Sequence, residues 1–336
     1  MTKGTGNSLR RRAWSTRHVV VLVVPPIDEL DLVGPIQVLS AANRLAGKPI
    51  YKIEIATNGK DLRVQGEGGW LSFLAEIHYQ DLKSKFDSLL LVCGVGTRNA
   101  RDPALFAWLN DVAPSVRRLG SVCVGSFLFA EAGLLNGRSA TSHWRWNKEF
   151  AERFPKVKVA SEPVWVKDKN IYTSAGISAG IDLALAWVEE DCGNAIASEV
   201  SRELVLFLRR PAGQAQLSVS LAAQAIEMKS IHELQVWITE HRDEKLPVQL
   251  LADRVAMSVR NFERVFEREV GMSPAQYVRK LRVEAAQRMI EQSDKRLDQV
   301  VSACGFSSAD LMRRAFVQIL GKTPRALHSP VPEQPT

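Results

Sequence analysis

The 336-residue chain has few of the residues that staple a fold together. Its four cysteines form no short-range pair, which leaves no disulfide framework to read and suits a reducing cytoplasm. No histidine or cysteine cluster has the close spacing of a metal-ligand set, so no metal and no cofactor is expected. No apolar run approaches the ~20 residues that a membrane span needs. Low-complexity segments are also lacking. Arg10-Arg11-Arg12 ahead of Val19–Val24 has the outline of a secretion signal, but the apolar run is short. Pro25-Pro26-Ile27-Asp28-Glu29 follows it with no small-residue cleavage pattern, so the run is expected to be a buried β-strand of a cytoplasmic protein.

The net charge of +7 is modest for this length. Residues 1–18 carry +5 of it, the last 108 residues carry +3, and the middle is near neutral. A basic tail, a neutral body and a mildly basic end argue against a protein that coats nucleic acid indiscriminately. They fit a DNA binder with a separate sensor.

The first half alternates strands with helices. Strands are expected at His18–Val24, Tyr51–Ala56, Phe86–Val92, Leu119–Val122, Val157–Ala160, Val164–Lys167 and Ile171–Ser174, with a short extended piece at Trp70–Leu74. Helices are expected at Gly34–Asn43, Pro103–Val112, Gly125–Ala132 and Ile181–Leu208, the last interrupted near Gly193. This order implies a doubly wound α/β sheet domain whose ligands sit at the carboxyl ends of the strands. The expected organisation is a disordered basic tail (1–17), an α/β domain (18–208), a linker (209–228), a helical domain (229–328) and a short tail (329–336).

The last hundred residues carry a tandem repeat. Leu251, Ala252 and Val255 face inward on one short helix, a turn follows at Ala256-Met257, Ser258 caps, and Phe262, Val265 and Phe266 anchor a second helix. Leu297, Val300 and Val301, then Gly305-Phe306, Ser307 as cap, and Met312 with Phe316 repeat the plan with one extra residue. This is helix-turn-helix grammar. A helix from Pro274 to Gln292 joins the copies and spans roughly 28 Å. That is close to the ~34 Å between major-groove faces one DNA turn apart. Arg260, Asn261 and Arg264 project from the first reading helix, and Ser308, Arg313 and Arg314 belong to the second. A helical packing domain without nucleic acid is the alternative; the matched outward arginines argue against it.

A chemical constellation lies in the α/β half. Ser121-Val122-Cys123-Val124-Gly125-Ser126 between a strand and a helix has the form of a nucleophile elbow. The following helix N-terminus would favour a thiolate at Cys123. His143 is a candidate base, and Asp31, with Asp28 and Glu29, lies in a loop that should reach the same sheet end. Gly94 and Gly96 follow a central strand, where bare amides could face a ligand carboxylate or oxyanion. Trp144 and Trp146 could wall a cation. For each of these the bland alternative is packing, turn-making or a solvated loop.

The C-terminal stretch resembles the DNA-binding domain of AraC/XylS regulators, through Gly271-Met272-Ser273-Pro274, Tyr277, Arg279–Arg282, Ala303-Cys304-Gly305-Phe306-Ser307 and Gly321-Lys322-Thr323-Pro324-Arg325. Ala256 stands where a turn glycine is usual, and Ala309 with Asp310 where base readers are often placed. Residues 18–195 resemble the DJ-1/PfpI superfamily of class I glutamine-amidotransferase-like folds. Asp31-Leu32-Val33-Gly34-Pro35, Cys123, His143, Thr173-Ser174-Ala175-Gly176 and Gly180-Ile181-Asp182 carry that match. The whole chain is similar to GlxA-type regulators, with Arg209–Gln214 in the place of their Arg-Pro-Gly-Gly-Gln stretch. The resemblance implies a sensor more than a catalyst. It implies a DNA-binding homodimer, with RNA polymerase as a further partner. A small nitrogen metabolite would be held near Asp31, Gly94, Gly96, Cys123, Val124 and His143. A cysteine-dependent amidase or hydratase and a cysteine redox sensor are the rival functions.

Overall fold

The valine run Arg17–Val24, β1, forms the middle of a seven-stranded sheet and is buried from Val19 onward. The computed structural model describes residues 15–83, 85–207, 209–217, 228–292 and 295–327. The basic tail to residue 14, residues 218–227 of the expected linker and the C-terminal tail lie outside them. The chain divides into two compact units, Met1–Gln216 and Leu217–Thr336.

In the first unit β1 pairs in parallel with β2 (Tyr51–Thr57) on one side, beyond which the short β5 (Ile77–His78) closes the sheet, and with β6 (Ser88–Cys93) on the other. Beyond β6 lie β7 (Arg118–Ser121) and β11 (Ile171–Ser174), also parallel, and then β10 (Trp165–Asp168), antiparallel to β11. Burial on both faces explains why these strands read as continuous apolar runs. A hairpin of β3 (Arg63–Gln65) and β4 (Ser72–Leu74) stands outside the sheet. Helix α5 (Ser178–Cys192) stops at Gly193, whose φ of 87° ends the helical path, and α6 (Asn194–Glu203) resumes it. At the amino ends of the strands, Arg118 is buried against Asp191 and Glu190 and covers the Trp187 ring.

Two expectations change. Helix α1 begins at Glu29, not Gly34, and runs to Ala46. Asp31 therefore sits in its first turn, and Pro35, lacking an amide, leaves the Asp31 carbonyl without its helical donor. Residues 209–216, expected within the linker, are laced to the first unit. Ala215 bridges to Pro163, and the Arg210 amide and guanidinium both donate to Asp182.

The second unit has two small cores. Ile231, Leu234, Leu251, Phe262, Phe266, Tyr277 and Leu281 build the first; Val283, Ala286, Val300, Val301, Met312 and Phe316 build the second. The helix Pro274–Gln292 gives one stretch of its length to each. The two motifs pair Val248–Arg254 with Val259–Val270, and Leu297–Ala303 with Ala309–Leu320. The extra residue of the second copy falls in the turn. Its cap is therefore Ser308, whose Oγ accepts from the Leu311 amide, and not Ser307. Both turns need a left-handed residue: Ala256 has φ 55° and Gly305 φ 71°. A Cβ on Gly305 would fall on the Arg242 carbonyl oxygen, whereas Ala256 is exposed.

Ala256→Gly should therefore stabilise the helical unit by about 0.5–1 kcal/mol, and Gly305→Ala should destabilise it by about 2 kcal/mol or more. Urea unfolding of both variants checks this; equal shifts of one sign would contradict it.

Candidate functional site

Strand β7 ends in a hard turn at Cys123, whose φ of 57° puts a non-glycine residue in the left-handed region. The turn is held from three sides. The Cys123 amide donates to the Ser174 carbonyl at 3.1 Å, and its own carbonyl accepts from Ser142 Oγ at 3.2 Å and Ser126 Oγ at 3.3 Å. Gly125 opens α3 (Gly125–Glu131), where a Cβ would press within 2.9 Å of Leu91. The elbow thus forms with Ser121 in the place of a glycine.

Above the elbow, Gly176 has φ 130°, and a Cβ there would stand 3.0 Å from the Cys123 sulfur and 2.9 Å from His143 Cδ2. Sulfur and imidazole are therefore neighbours beneath one glycine. Ile177, which follows, has φ 35°, a strained value for a β-branched residue. Its amide and the Cys123 thiol both approach the Asp31 carboxyl. Asp31 is fully buried, and neither of its oxygens completes a hydrogen bond of good geometry among the described residues. Asp28, Asp31 and Cys123 bring one donor atom each within 4.8 Å of one another.

The glycine expectation needs correction. The Gly94 amide is taken by the Pro26 carbonyl at 2.7 Å, and Gly96 is exposed in the next turn. The next amide, that of Val95, meets a side chain instead and donates to the Glu67 carboxylate at 3.0 Å. A Cβ on Gly94 would stand 2.9 Å from the Pro26 carbonyl oxygen, which is backbone and cannot give way, and would also displace the Glu67 carboxylate. Glu67 sits between β3 and β4 and is anchored by its amide to the Ile27 carbonyl at 2.7 Å. Nothing in the sequence around Glu67 signals this, since a fold contact and not spacing brings it there. Val124 is buried at the head of α3, its amide beside the Cys123 sulfur. Trp146 lies under Arg98, 4.0 Å from the guanidinium, so its face is occupied. Trp144, half-exposed, leans on His143 with ring centroids 5.6 Å apart.

Burial, reinforced by the Asp28 charge, pushes the Asp31 carboxyl up to about 8. Asp28 is raised by burial and then by Glu67 and Glu29. Burial and the nearby Asp31 push the Cys123 thiol well above its ordinary range; the Val124 amide opposes this more weakly. Burial and then Arg145 lower His143. At neutral pH the resting site holds a thiol, a protonated carboxyl and a neutral imidazole. The thiolate expected from the helix N-terminus is not the resting form, because desolvation outweighs one amide. The same protons occupy the Asp31 and Cys123 donor atoms of the cluster with Asp28.

On the reading helices Arg260 and Arg264 are exposed and Asn261 is half-buried, with Arg264 Nη2 donating to Asn261 Oδ1 at 2.9 Å. Asp310 pairs with both Arg313, at 3.0 Å, and Arg314, at 2.9 Å. The arginines of the second helix therefore share one built-in counter-charge, and Ser308 is engaged as the cap.

The raised Asp31 value has a stability consequence. The unfolded chain ionises this carboxyl near 4 and the folded chain near 8, so folding loses stability as pH climbs between those values and is flat above. Asp31→Asn should gain on wild type by about 1 kcal/mol or more at pH 8 and by little at pH 4. Thermal melts across that range test it; parallel curves would contradict it.

With this geometry in hand, the chain can be compared with known proteins. Residues 17–190 match the DJ-1/PfpI family and residues 251–329 a helix-turn-helix domain. The HTH-type transcriptional regulator ArgR of Pseudomonas aeruginosa is 33% identical over 226 residues, covering 67% of this chain and 68% of that one. The HTH-type transcriptional regulator CdhR of the same organism is 30% identical over 297 residues, 88% of this chain and 86% of that one. A crystal structure of a ThiJ/PfpI family protein from Pseudomonas syringae superposes with a TM-score of 0.53 at 27% identity, covering 63% of this chain and 84% of that one. The chain belongs to the DJ-1/PfpI family, in the branch of transcriptional regulators that join this domain to an AraC-type helix-turn-helix domain.

Proposed function

We propose that the regulator is gated by a small nitrogen cation, an amine or a cationic amino acid, bound over Cys123. The observation that carries this is the acidic wall. Burial and the charges of Asp28 and Glu67 make Asp31 costly to ionise beside a buried thiol, so that Asp31 is held protonated at neutral pH, and Asp28 is raised by burial and then by Glu67. A cation within ~4–6 Å of such a carboxyl favours its charged form, so binding would expel the Asp31 proton. His143 and Trp144 close the site, the ring of Trp144 offering a face to a cation. The protein would act in the cytoplasm as a homodimer on double-stranded DNA, with RNA polymerase as a further partner. Apolar Trp70 (92% exposed), Leu71 and Leu74 on the hairpin and Leu30 and Val33 on α1 support a second copy meeting the α/β unit.

Calorimetry with choline and L-arginine tests the ligand class. Affinity should rise from pH 6 to 8 with release of a proton, and Asp31→Asn should flatten that dependence. No binding of either, or equal binding of 3,3-dimethylbutanol, the neutral isostere of choline, would refute the cation.

Specific duplex reading would be led by Val259–Val270 through Arg260, Asn261 and Arg264. Arg313 and Arg314, tied to Asp310, would hold mainly phosphates. A bidentate base contact is worth about 1–3 kcal/mol. Arg264→Ala should therefore weaken operator binding more than nonspecific binding. Asp310→Asn should tighten nonspecific binding and steepen its salt dependence. Equal losses on both DNAs for Arg264→Ala would reduce that residue to a phosphate contact.

A further inference from the structure

The chain leaves the α/β unit through residues 209–216, and these grip the walls of the Cys123 site. Gln216 makes four of these contacts. Its Nε2 reaches Ser142 O at 3.0 Å, Ser161 O at 3.0 Å, Thr141 Oγ1 at 3.1 Å and Pro163 O at 3.3 Å. One amide nitrogen thus serves four acceptors with two protons, a shared and readily redistributed set. Ser142 is the key acceptor. Its own Oγ donates to the Cys123 carbonyl at 3.2 Å, its amide donates to Asn147 Oδ1 at 3.1 Å, and its next neighbour is His143.

A second attachment reaches the opposite wall. The Val164 amide donates to the Gln214 carbonyl at 2.7 Å, and the Val164 carbonyl accepts from the Ala175 amide at 2.8 Å. Ala175 leads directly into Gly176 and Ile177, the strained pair over the sulfur and the Asp31 carboxyl. A third attachment reaches the head of α5. Arg210 donates to both oxygens of Asp182, at 2.9 and 2.8 Å, and to Ser178 Oγ at 2.9 Å. One or two hydrogen bonds thus separate the residues flanking His143 and Gly176 from Gln214 and Gln216, the last part of this unit.

We propose that Gln216 is the positioning residue that couples the Cys123 site to DNA binding. This rests on the reading that the state of that site controls the helical unit, but it does not depend on what the ligand is. In one state Gln216 holds Thr141, Ser142, Ser161 and Pro163 together. When Ser142 and His143 move, the shared donors are redistributed and the exit segment is repositioned. The free-energy difference is carried by hydrogen bonds exchanged between two arrangements of one segment, so no contact at the DNA itself has to change.

The test is a double-mutant cycle on the full chain, read by operator affinity with no ligand added, on a duplex selected from a random library. Gly176→Ala is the perturbation, since its Cβ must displace the Cys123 sulfur and the His143 ring. Gln216→Met keeps the length of the side chain and removes both donors. Gly176→Ala should shift operator affinity by about fivefold or more with Gln216 present and by less than about twofold in Gln216→Met. Thermal melts of wild type and Gln216→Met should coincide within a few degrees, which separates loss of coupling from loss of fold. If Gly176→Ala does not fold, Ser142→Ala, which cuts the bond to the Cys123 carbonyl, takes its place. An equal shift in both backgrounds would overturn the proposal, and so would no shift with Gln216 present. Failure of choline and L-arginine to bind would sink the cation reading and leave this cycle unaffected.

Discussion

The left-handed turn at Cys123 is the constraint on which the α/β unit depends. It is adopted by a residue with a side chain, so the surroundings must over-determine it, and they do. Ser174, Ser142 and Ser126 hold its backbone, and Leu91 limits what can stand at position 125. These residues come from β11, the loop after β8 (Ser139–Ala140), α3 and β6. One turn thereby fixes the relative positions of four segments at the carboxyl edge of the sheet. The acidic residues arrive at that edge from the remaining segments, Asp31 after β1 and Glu67 from the hairpin.

The electrostatic character of the site follows from this packing. A carboxyl brought into a buried elbow, with two more acids beside it, keeps its proton. A thiol in the same place keeps its own. The site is then a pair of buried, protonated groups more than an activated nucleophile; the cation proposed above would turn its cost of ionisation into affinity. In the second unit the charge logic is different. The arginines are exposed, and what varies is whether a carboxylate already holds them: Arg264 is met by a neutral amide, Arg313 and Arg314 by Asp310. The two helix-turn-helix copies share a backbone plan and differ in the charge they offer to DNA.

Much of this was legible in the chain. The β-branched runs gave the strands, Gly193 gave the break between α5 and α6, and the spacing of Val300, Val301, Met312 and Phe316 gave the second motif with its extra residue. Cys123 is recognisable because an elbow needs small neighbours in a local pattern, whereas His143 and Asp31 are reached only through their pairing with that cysteine, the loop after the first strand and the family resemblance. Contacts made by the fold were not legible. Gly94 reads as an open amide donor, but the Pro26 carbonyl satisfies it and the Val95 amide is taken by Glu67. Glu67 and the strained Ile177 carry no local signal at all. Residues 209–216 looked like a linker because a polar, Pro- and Gly-containing stretch has no periodicity, and only the acceptors of the 160s loop reveal where it docks. Helix α1 starts at Glu29 rather than Gly34 because the apolar residues Ile36, Val38, Leu39 and Ala42 mark only its inner part, with Pro35 lying inside the helix and its lost bond at Asp31.

In the function proposed above, the α/β unit controls what the helical unit does on DNA. The most direct measurement compares operator affinity of the full chain with that of a fragment spanning residues 230–327, each with and without saturating choline or L-arginine. A coupling free energy between sites commonly amounts to about a fivefold to hundredfold change in affinity. The account predicts a change of that size in the full chain and none in the fragment, which should still bind the duplex. Identical affinities for the two proteins, unmoved by either amine, would contradict it.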